Sequence, residues 1–535
     1  MLNSGPSDPP ELADVGRLAR RLVDRAVHTA RTEDQPLRRL LIDHLGPDAA
    51  ILPTVSATWP SYEHVNVQVG LEAWLEAGLE RTHEVFGITG IGMMRHMEIV
   101  GIGDFLQPPN QGPFGSASFG GVMTIAVASG PNGQTHPCVS HGIYLVDDAG
   151  ARLSVILQPV SRGPNPEVVL QITGAEQDRI QAILGEIQTL ASERSVFRGQ
   201  VISVGPEVFG PGPKEAFGGR AAPLSFLERP AVGRDQIVLP DEVLDNIERQ
   251  VLGVGRHAGR LLASGQHLKR GVLLHGAPGT GKTHTVGYLL GQMPEATVII
   301  LSGRALGRIR EACSVARSLQ PAIIVVEDVD LIAEQRDARP GEQPLLFQLL
   351  NEMDGLNSGA DVTFLLTTNR ADLLEPALAA RPGRVDLAAE LPLPDADARR
   401  QLIRLYQGNL VLDLTHPETV IERTDGVTAA FLKELLRKAA LLSCEADLAD
   451  APDDPIRVTD THLALALDQL LDSRNQLTRI LLGGEPPGPK PEPPHPKSDH
   501  PDPKPEPPHP KSDHPRPKPD HPRPKRPPKK PAPAP

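Results

Sequence analysis

The chain has 535 residues, too many for one hydrophobic core, with 39% hydrophobic content and a formal net charge of -13. That acidic balance argues against a broad nucleic-acid-binding surface, and no apolar run reaches the roughly 18 residues that cross a bilayer. The three cysteines, Cys138, Cys313 and Cys444, are too far apart for a zinc motif or a disulfide framework, so they read as small buried hydrophobes.

At the start, Asp8, Glu11 and Asp14 stand where a secretory signal needs a basic patch, and the chain is expected to be cytoplasmic. Leu12, Val15, Leu18, Leu22 and Val23 recur at helical spacing, with Arg17, Arg20, Arg21 and Arg25 between them. Such a helix packs onto its own domain or, as the alternative, onto a membrane surface. From about Phe119 the period shortens: 121–129, 141–148, 151–160 and 166–174 are β-rich runs broken by Gly, Pro, Asn and Asp. An amphipathic helix then runs from Glu176 to about Leu190. Residues 1–204 are therefore expected to form an α+β domain. Its His136, Cys138 and His141 lie on one loop without the spacing of a metal site.

Residues 205–232 are rich in Pro and Gly and read as a linker. After about Leu482 the composition changes to Pro-rich repeats, with PKPEPPHPKSDHP at 489–501 and again at 503–515. Such a segment has too few apolar side chains to offset ordering, and 483–535 is expected to be a disordered, polyproline-rich tail with a basic end. It is a solvated tether or a docking arm for an acidic surface, nucleic acid or a Pro-binding module.

Between these lies the chemistry. The apolar run 271–274 feeds into Gly276, Ala277, Pro278, Gly279, Thr280, Gly281, Lys282 and Thr283, which fits GxxxxGK[ST]. Glycines let successive backbone N–H groups turn toward phosphates, and the following helix presents its positive end to the same anion. Lys282 is expected on the β- and γ-phosphates of ATP and the Thr283 hydroxyl on Mg²⁺. A second apolar run, Ile323 to Val326, ends in Glu327 and Asp328. The first acid is placed to hold Mg²⁺ through water and the second to orient the attacking water. A third, Val362 to Leu366, ends in Thr367, Thr368, Asn369 and Arg370, where the Asn369 amide can fix that water. Further on, Arg381 and Arg384 share a tight RPGR turn.

These motifs, with QLLNEMDGL at 348–356 and the stretch from 365 to 403, resemble the AAA clade of the AAA+ ATPases over about residues 233–475. The likeness is to the ATPase modules of proteasomal regulatory subunits, katanin-like severing enzymes and membrane-anchored AAA proteases. It implies a P-loop parallel-sheet core (233–394), a helical lid (395–482) with caps at Asp395, Thr424 and Thr459, and Gly426 and Ala429 near the adenine. It also implies a ring, usually a hexamer, in which Arg381 and Arg384 reach the neighbouring subunit's γ-phosphate.

Three departures stand out. The acids are in Glu-Asp order, as in the branch that includes the mitochondrial translocase of a folded Rieske protein. The segment after Ser302 is shorter than in threading members and carries GRALGRIREA in place of an aromatic pore loop, so Arg304, Arg308 and Arg310 either line a pore or form a solvated face. Val385 and Leu387 replace the residues usual after RPGR. No HExxH follows the lid. The resulting expectation is an ATP-driven remodeller of a protein client selected by the N-terminal domain; the alternative is an ATP-gated scaffold that threads nothing.

Overall fold

In the computed structural model of the chain, the described residues are 36–89, 99–106, 117–160, 166–204, 224–330, 345–355, 357, 359–372, 384–446 and 455–471. The amphipathic segment near residue 20, Arg381 and the Pro-rich tail lie outside them.

The N-terminal part is built on a six-stranded antiparallel sheet in the order β1 (Thr54–Pro60), β8 (Glu167–Gly174), β7 (Ala151–Val160), β6 (Gly142–Asp148), β2 (Arg81–Thr89), β3 (Ser118–Gly120). The four expected β runs are all strands, the first of them as β4 (Thr124–Ala128), which forms a separate hairpin with β5 (Thr135–Val139). Alternation sets the layers. On β6, Tyr144 and Val146 meet α2 (His64–Ala77) and α3 (Gln177–Glu193), while Ile143 and Leu145 turn to the other face, where α1 (Pro36–Leu45) lays down Leu37 and Leu41. This is the expected α+β domain.

The second sheet has seven strands, ordered β10 (Leu224–Leu227), β9 (Val201–Val204), β12 (Thr297–Leu301), β13 (Ala322–Val326), β14 (Val362–Thr368), β11 (Arg270–His275), β15 (Leu387–Glu390). All are parallel except β10, which runs antiparallel to β9. Residues of β13 and β14 are buried throughout, which explains the all-apolar sequence of β13 and the apolar centre Phe364–Leu366 of β14. Helices α4 (Asp241–Glu248), α5 (Lys282–Gly291), α6 (Ile309–Ser318) and α7 (Leu345–Asp354) accompany this sheet.

The expected boundary at 204/205 runs through this sheet. Strand β9 belongs to it, and residues 224–227, expected in the linker, form its edge strand. Nor is the N-terminal domain simply tethered. Val65 of α2 and Cys138 of β5 share a buried cluster with Phe197, Ile202 and Leu319. A run of aromatic rings crosses the same junction, Tyr62 to Phe197 at 6.5 Å and Phe197 to Phe226 at 5.8 Å between centroids. Arg229, just beyond β10, donates to the carbonyls of Leu290 (2.8 Å), Met293 (3.1 Å), Gly199 (3.1 Å) and Ala296 (2.7 Å). It thereby satisfies acceptors that the end of α5 leaves open. The two parts share one packed junction.

The remainder is a small helical unit of α8 (Ala396–Gln407), α9 (Pro417–Arg423), α10 (Ala429–Ala446) and α11 (Asp460–Leu471), packed around Phe431, Leu432, Leu435 and Leu467. Asp395 caps α8 as expected, accepting from the Ala398 N–H at 2.8 Å. Thr424 instead follows α9, its hydroxyl donating back to the Val420 carbonyl (2.7 Å), and α10 is capped by Thr428, which accepts from the Phe431 N–H (3.3 Å). Thr459 closes β17 (Arg457–Thr459), which pairs with β16 (Val411–Asp413) ahead of α11. Among the described residues no helix is long and apolar enough to cross a membrane.

Candidate active site

Strand order places the candidate residues together. In a parallel sheet every carboxyl end opens on the same edge, and β14 lies between β13 and β11, so the loops after all three converge there. The loop after β11 is the glycine-rich one. Gly276, Gly279 and Gly281 have φ of 149°, 82° and 102°, a region that side chains resist. At Gly276 a Cβ would lie 2.5 Å from the Leu391 carbonyl oxygen, so the loop starts pressed against the chain leaving β15. Thr280 tightens the loop by donating to Ala277 O at 2.9 Å. Lys282, the first residue of α5, is buried and donates to the carbonyls of Gly276 (2.8 Å) and Ala277 (2.9 Å), so its ammonium is held over the loop. Burial lowers its pKa, while Asp328 and Asp330 act in the opposite sense.

The acids lie opposite. Glu327 is hydrogen-bonded by the Thr283 side chain, joining the two groups expected to share a metal. Burial lifts its carboxyl above the usual range and the neighbouring Asp328 adds to this, with the Thr283 hydrogen bond opposing both. Asp328 takes a left-handed backbone conformation, φ 51°, pinned by its N–H on Thr367 Oγ1 at 3.2 Å. Asn369 Nδ2 donates to Asp328 Oδ1 at 3.3 Å. The donors and acceptors fit a magnesium–triphosphate: backbone amides and Lys282 for the phosphates, the Thr283 hydroxyl and Glu327 for the metal. From the lid, the Ala430 N–H reaches the Gly279 carbonyl (3.1 Å), which brings the start of α10 against the phosphate loop.

Arg384 lies away from the phosphate loop of its own chain. It stands at the amino end of β11, where a Cβ on Gly271 would lie 2.2 Å from its carbonyl oxygen. Five residues of strand, about 16 Å, separate that point from the phosphate loop. Its side chain is only 4% exposed and ion-paired with Asp354 of the same chain, so in this conformation it presents nothing to a neighbour. Arg308 and Arg310 are exposed at the start of α6, which fits a solvated face and a pore lining alike. His136 pairs with Glu72 at 3.1 Å, and among the described residues no His, Cys, Asp or Glu cluster is arranged to hold a metal by itself. Cys138 and Cys313 are buried as expected, whereas Cys444 is exposed.

Sequence reasoning passed over Asp330. Its Oδ1 accepts from the Thr368 hydroxyl at 2.8 Å and the Asn369 N–H at 3.3 Å. The available signal was its position two residues beyond Asp328, which on a chain turning away from a strand brings a second carboxylate to the same edge.

A parallel sheet with this loop, lysine and pair of strand-end acids on one edge defines a P-loop nucleoside triphosphatase. Comparison with known proteins narrows the class. Residues 272–393 match the family "ATPase family associated with various cellular activities (AAA)". The chain is similar to the ATP-dependent zinc metalloprotease FtsH of Alkalihalophilus pseudofirmus, 32% identical over 236 residues, covering 41% of this chain and 33% of that protein. It is also similar to the proteasome-activating nucleotidase of Thermococcus onnurineus, 30% identical over 270 residues, covering 48% of this chain and 66% of that protein. The chain belongs to the AAA+ ATPase superfamily, and it spans only part of the length of these relatives.

Proposed function

We propose that the protein is a Mg²⁺-dependent ATPase that assembles into a ring, of six subunits in the family pattern, and uses hydrolysis to remodel a protein client held by the N-terminal domain. The observation that carries this reading is the convergence of Lys282, the Thr283–Glu327 pair and the Asp328–Asn369 pair on one sheet edge. A bound Mg²⁺ would be held by the Thr283 hydroxyl and Glu327 and would offset the charge of the phosphates. Lys282 and the loop amides hold the triphosphate, Glu327 and Thr283 hold the metal's place, and Asp328 with Asn369 positions the attacking water and takes up its proton. Arg381, from a neighbouring subunit, completes the charge balance.

The packed junction supports transmission of lid and core movements to the N-terminal domain, because Phe197 and Ile202 tie it directly to the sheet. A second reading, an ATP-gated scaffold, draws on the missing pore aromatic and the short turn Gly303–Arg308 that stands there. Nucleic acid as the client fits poorly with a net charge of -13.

The test mixes subunits. Arg381→Ala supplies an intact site without its finger, and Asp328→Asn supplies a finger beside a dead site. Light scattering should report a ring with ATP and Mg²⁺, and mixtures should regain turnover at mixed interfaces. A monomer at all concentrations, or no regain at any ratio, contradicts the assembly. Unfolding of a tagged model client by the wild-type ring separates remodeller from scaffold.

A further inference from the structure

We infer that Asp330 is a positioning residue for ATP hydrolysis, holding Asn369 in register against Asp328 by anchoring the end of β14; this rests on the ATPase reading above.

The argument starts from what Asn369 must do. To orient water beside a carboxylate, its amide must be held to a fraction of an ångström, yet it follows the last residue of β14, where ladder hydrogen bonds stop. Replacement bonds are therefore needed, and Asp330 supplies them. One oxygen, Oδ1, takes both the Thr368 hydroxyl (2.8 Å) and the Asn369 N–H (3.3 Å). The Thr368 hydroxyl in turn accepts from the Arg370 N–H at 2.9 Å, so the turn is gripped on both sides of Asn369. Reciprocal bonds run the other way: the Asp328 N–H donates to Thr367 Oγ1 (3.2 Å) and the Val329 N–H to the Thr367 carbonyl (2.9 Å). The ends of β13 and β14 are thus laced together, with the Asn369–Asp328 contact as the product of the lacing.

What this place requires is a side-chain oxygen that takes both donors, the Thr368 hydroxyl and the Asn369 N–H. Thr368 is fully buried, so losing its acceptor would leave a hydroxyl without solvent to turn to. Asp330 also bears on Lys282 electrostatically, linking the acid edge to the phosphate loop. It does not touch the phosphate cradle through any of these bonds. Its effect therefore belongs to the rate of turnover rather than to nucleotide affinity.

The experiment uses the full chain and four variants: Asp330→Ala, Thr368→Val, the two combined, and Asp330→Asn. Steady-state phosphate release gives kcat and KM, a fluorescent ATP analogue gives nucleotide affinity, and thermal melting reports folding. Asp330→Ala and Thr368→Val should each lower kcat by roughly 10–100-fold, the range for a lost supporting partner, with nucleotide affinity held within about 3-fold. The combined variant should fall no further than the worse single by more than about 2-fold, because the Thr368–Asp330 bond is already lost in each single variant. Asp330→Asn keeps an acceptor oxygen at Oδ1 and should recover most of the rate. Wild-type kcat in Thr368→Val, multiplying losses, or a loss confined to affinity would each overturn the inference. Should Asp330→Ala fail to fold, Thr368→Val and Asp330→Asn decide it by the same criteria. A wild-type protein without any turnover removes the ATPase reading and this inference with it, a result distinct from rate-neutral variants of an active enzyme.

Discussion

The backbone N–H of Ala430, on the first turn of α10, donates to the carbonyl of Gly279 in the phosphate loop at 3.1 Å. One hydrogen bond therefore joins the helical lid to the cradle. Since α10 also carries Phe431, Leu432 and Leu435 of the lid core, a shift of the loop is passed to a rigid body. Replacing Ala430 by Pro removes that N–H in a first helical turn, where Pro is tolerated. Nucleotide affinity should fall about 5-fold, equivalent to about 1 kcal/mol for a lost neutral hydrogen bond, while the melting temperature without nucleotide stays close to wild type. Titration with a fluorescent ATP analogue checks it; unchanged affinity would separate the lid from binding.

The phosphate loop should resist any side chain at its first glycine. Gly276 combines a φ of 149° with a carbonyl 2.5 Å from where a Cβ would sit. Gly276→Ala is expected to cost about 1–3 kcal/mol of stability and to weaken ATP binding together with it. Denaturant unfolding and nucleotide titration on the same preparation report both.

At the junction of the N-terminal domain with the sheet, Phe197 is 2% exposed and stands between Tyr62 and Phe226. Phe197→Ala should destabilise the chain by about 3–5 kcal/mol through lost contact and cavity. Limited proteolysis should then cleave the chain faster than it cleaves wild type. A variant as resistant as wild type would show that the junction carries little of the stability.

How much of this could be read from the sequence follows from how local each feature is. The loop from Gly276 to Thr283 was legible because one contiguous segment carries all its requirements, and β13 and the Phe364–Leu366 part of β14 because burial on both faces favours apolar side chains. The place of β9 was not legible. Val201–Val204 pairs in parallel with β12, nearly a hundred residues on, and nothing in a four-residue strand names a distant partner. The same holds for Leu224–Leu227, whose Pro- and Gly-rich surroundings read as linker. Arg384 was identified from its motif, but its inward ion pair with Asp354 depends on the fold around it. Asp330 was missed because its partners, Thr368 and Asn369, belong to another strand.

Acid should destabilise the N-terminal domain through His64. Burial pulls its pKa from 6.5 to about 4, against the opposing hydrogen bond to the Val139 carbonyl at 2.9 Å. The folded chain thus refuses a proton that the unfolded chain accepts, so the unfolded state binds more protons between pH 6.5 and about 4 and stability falls as pH drops through that window. From pH 7 to 4.5, wild type should lose on the order of 2–3 kcal/mol more than His64→Gln. Urea unfolding at the two pH values measures it; parallel losses would remove His64 from the acid response.

The central claim is that Lys282, resting on the Gly276 and Ala277 carbonyls opposite Glu327 and Asp328, serves ATP hydrolysis. The most direct measurement is steady-state phosphate release by the purified full chain with ATP and Mg²⁺, compared with Lys282→Ala. Wild type should turn over, and the variant should fall by at least about 10²-fold with its nucleotide-free melting temperature little changed. Equal turnover in the two proteins, or none in wild type with magnesium present, would contradict it.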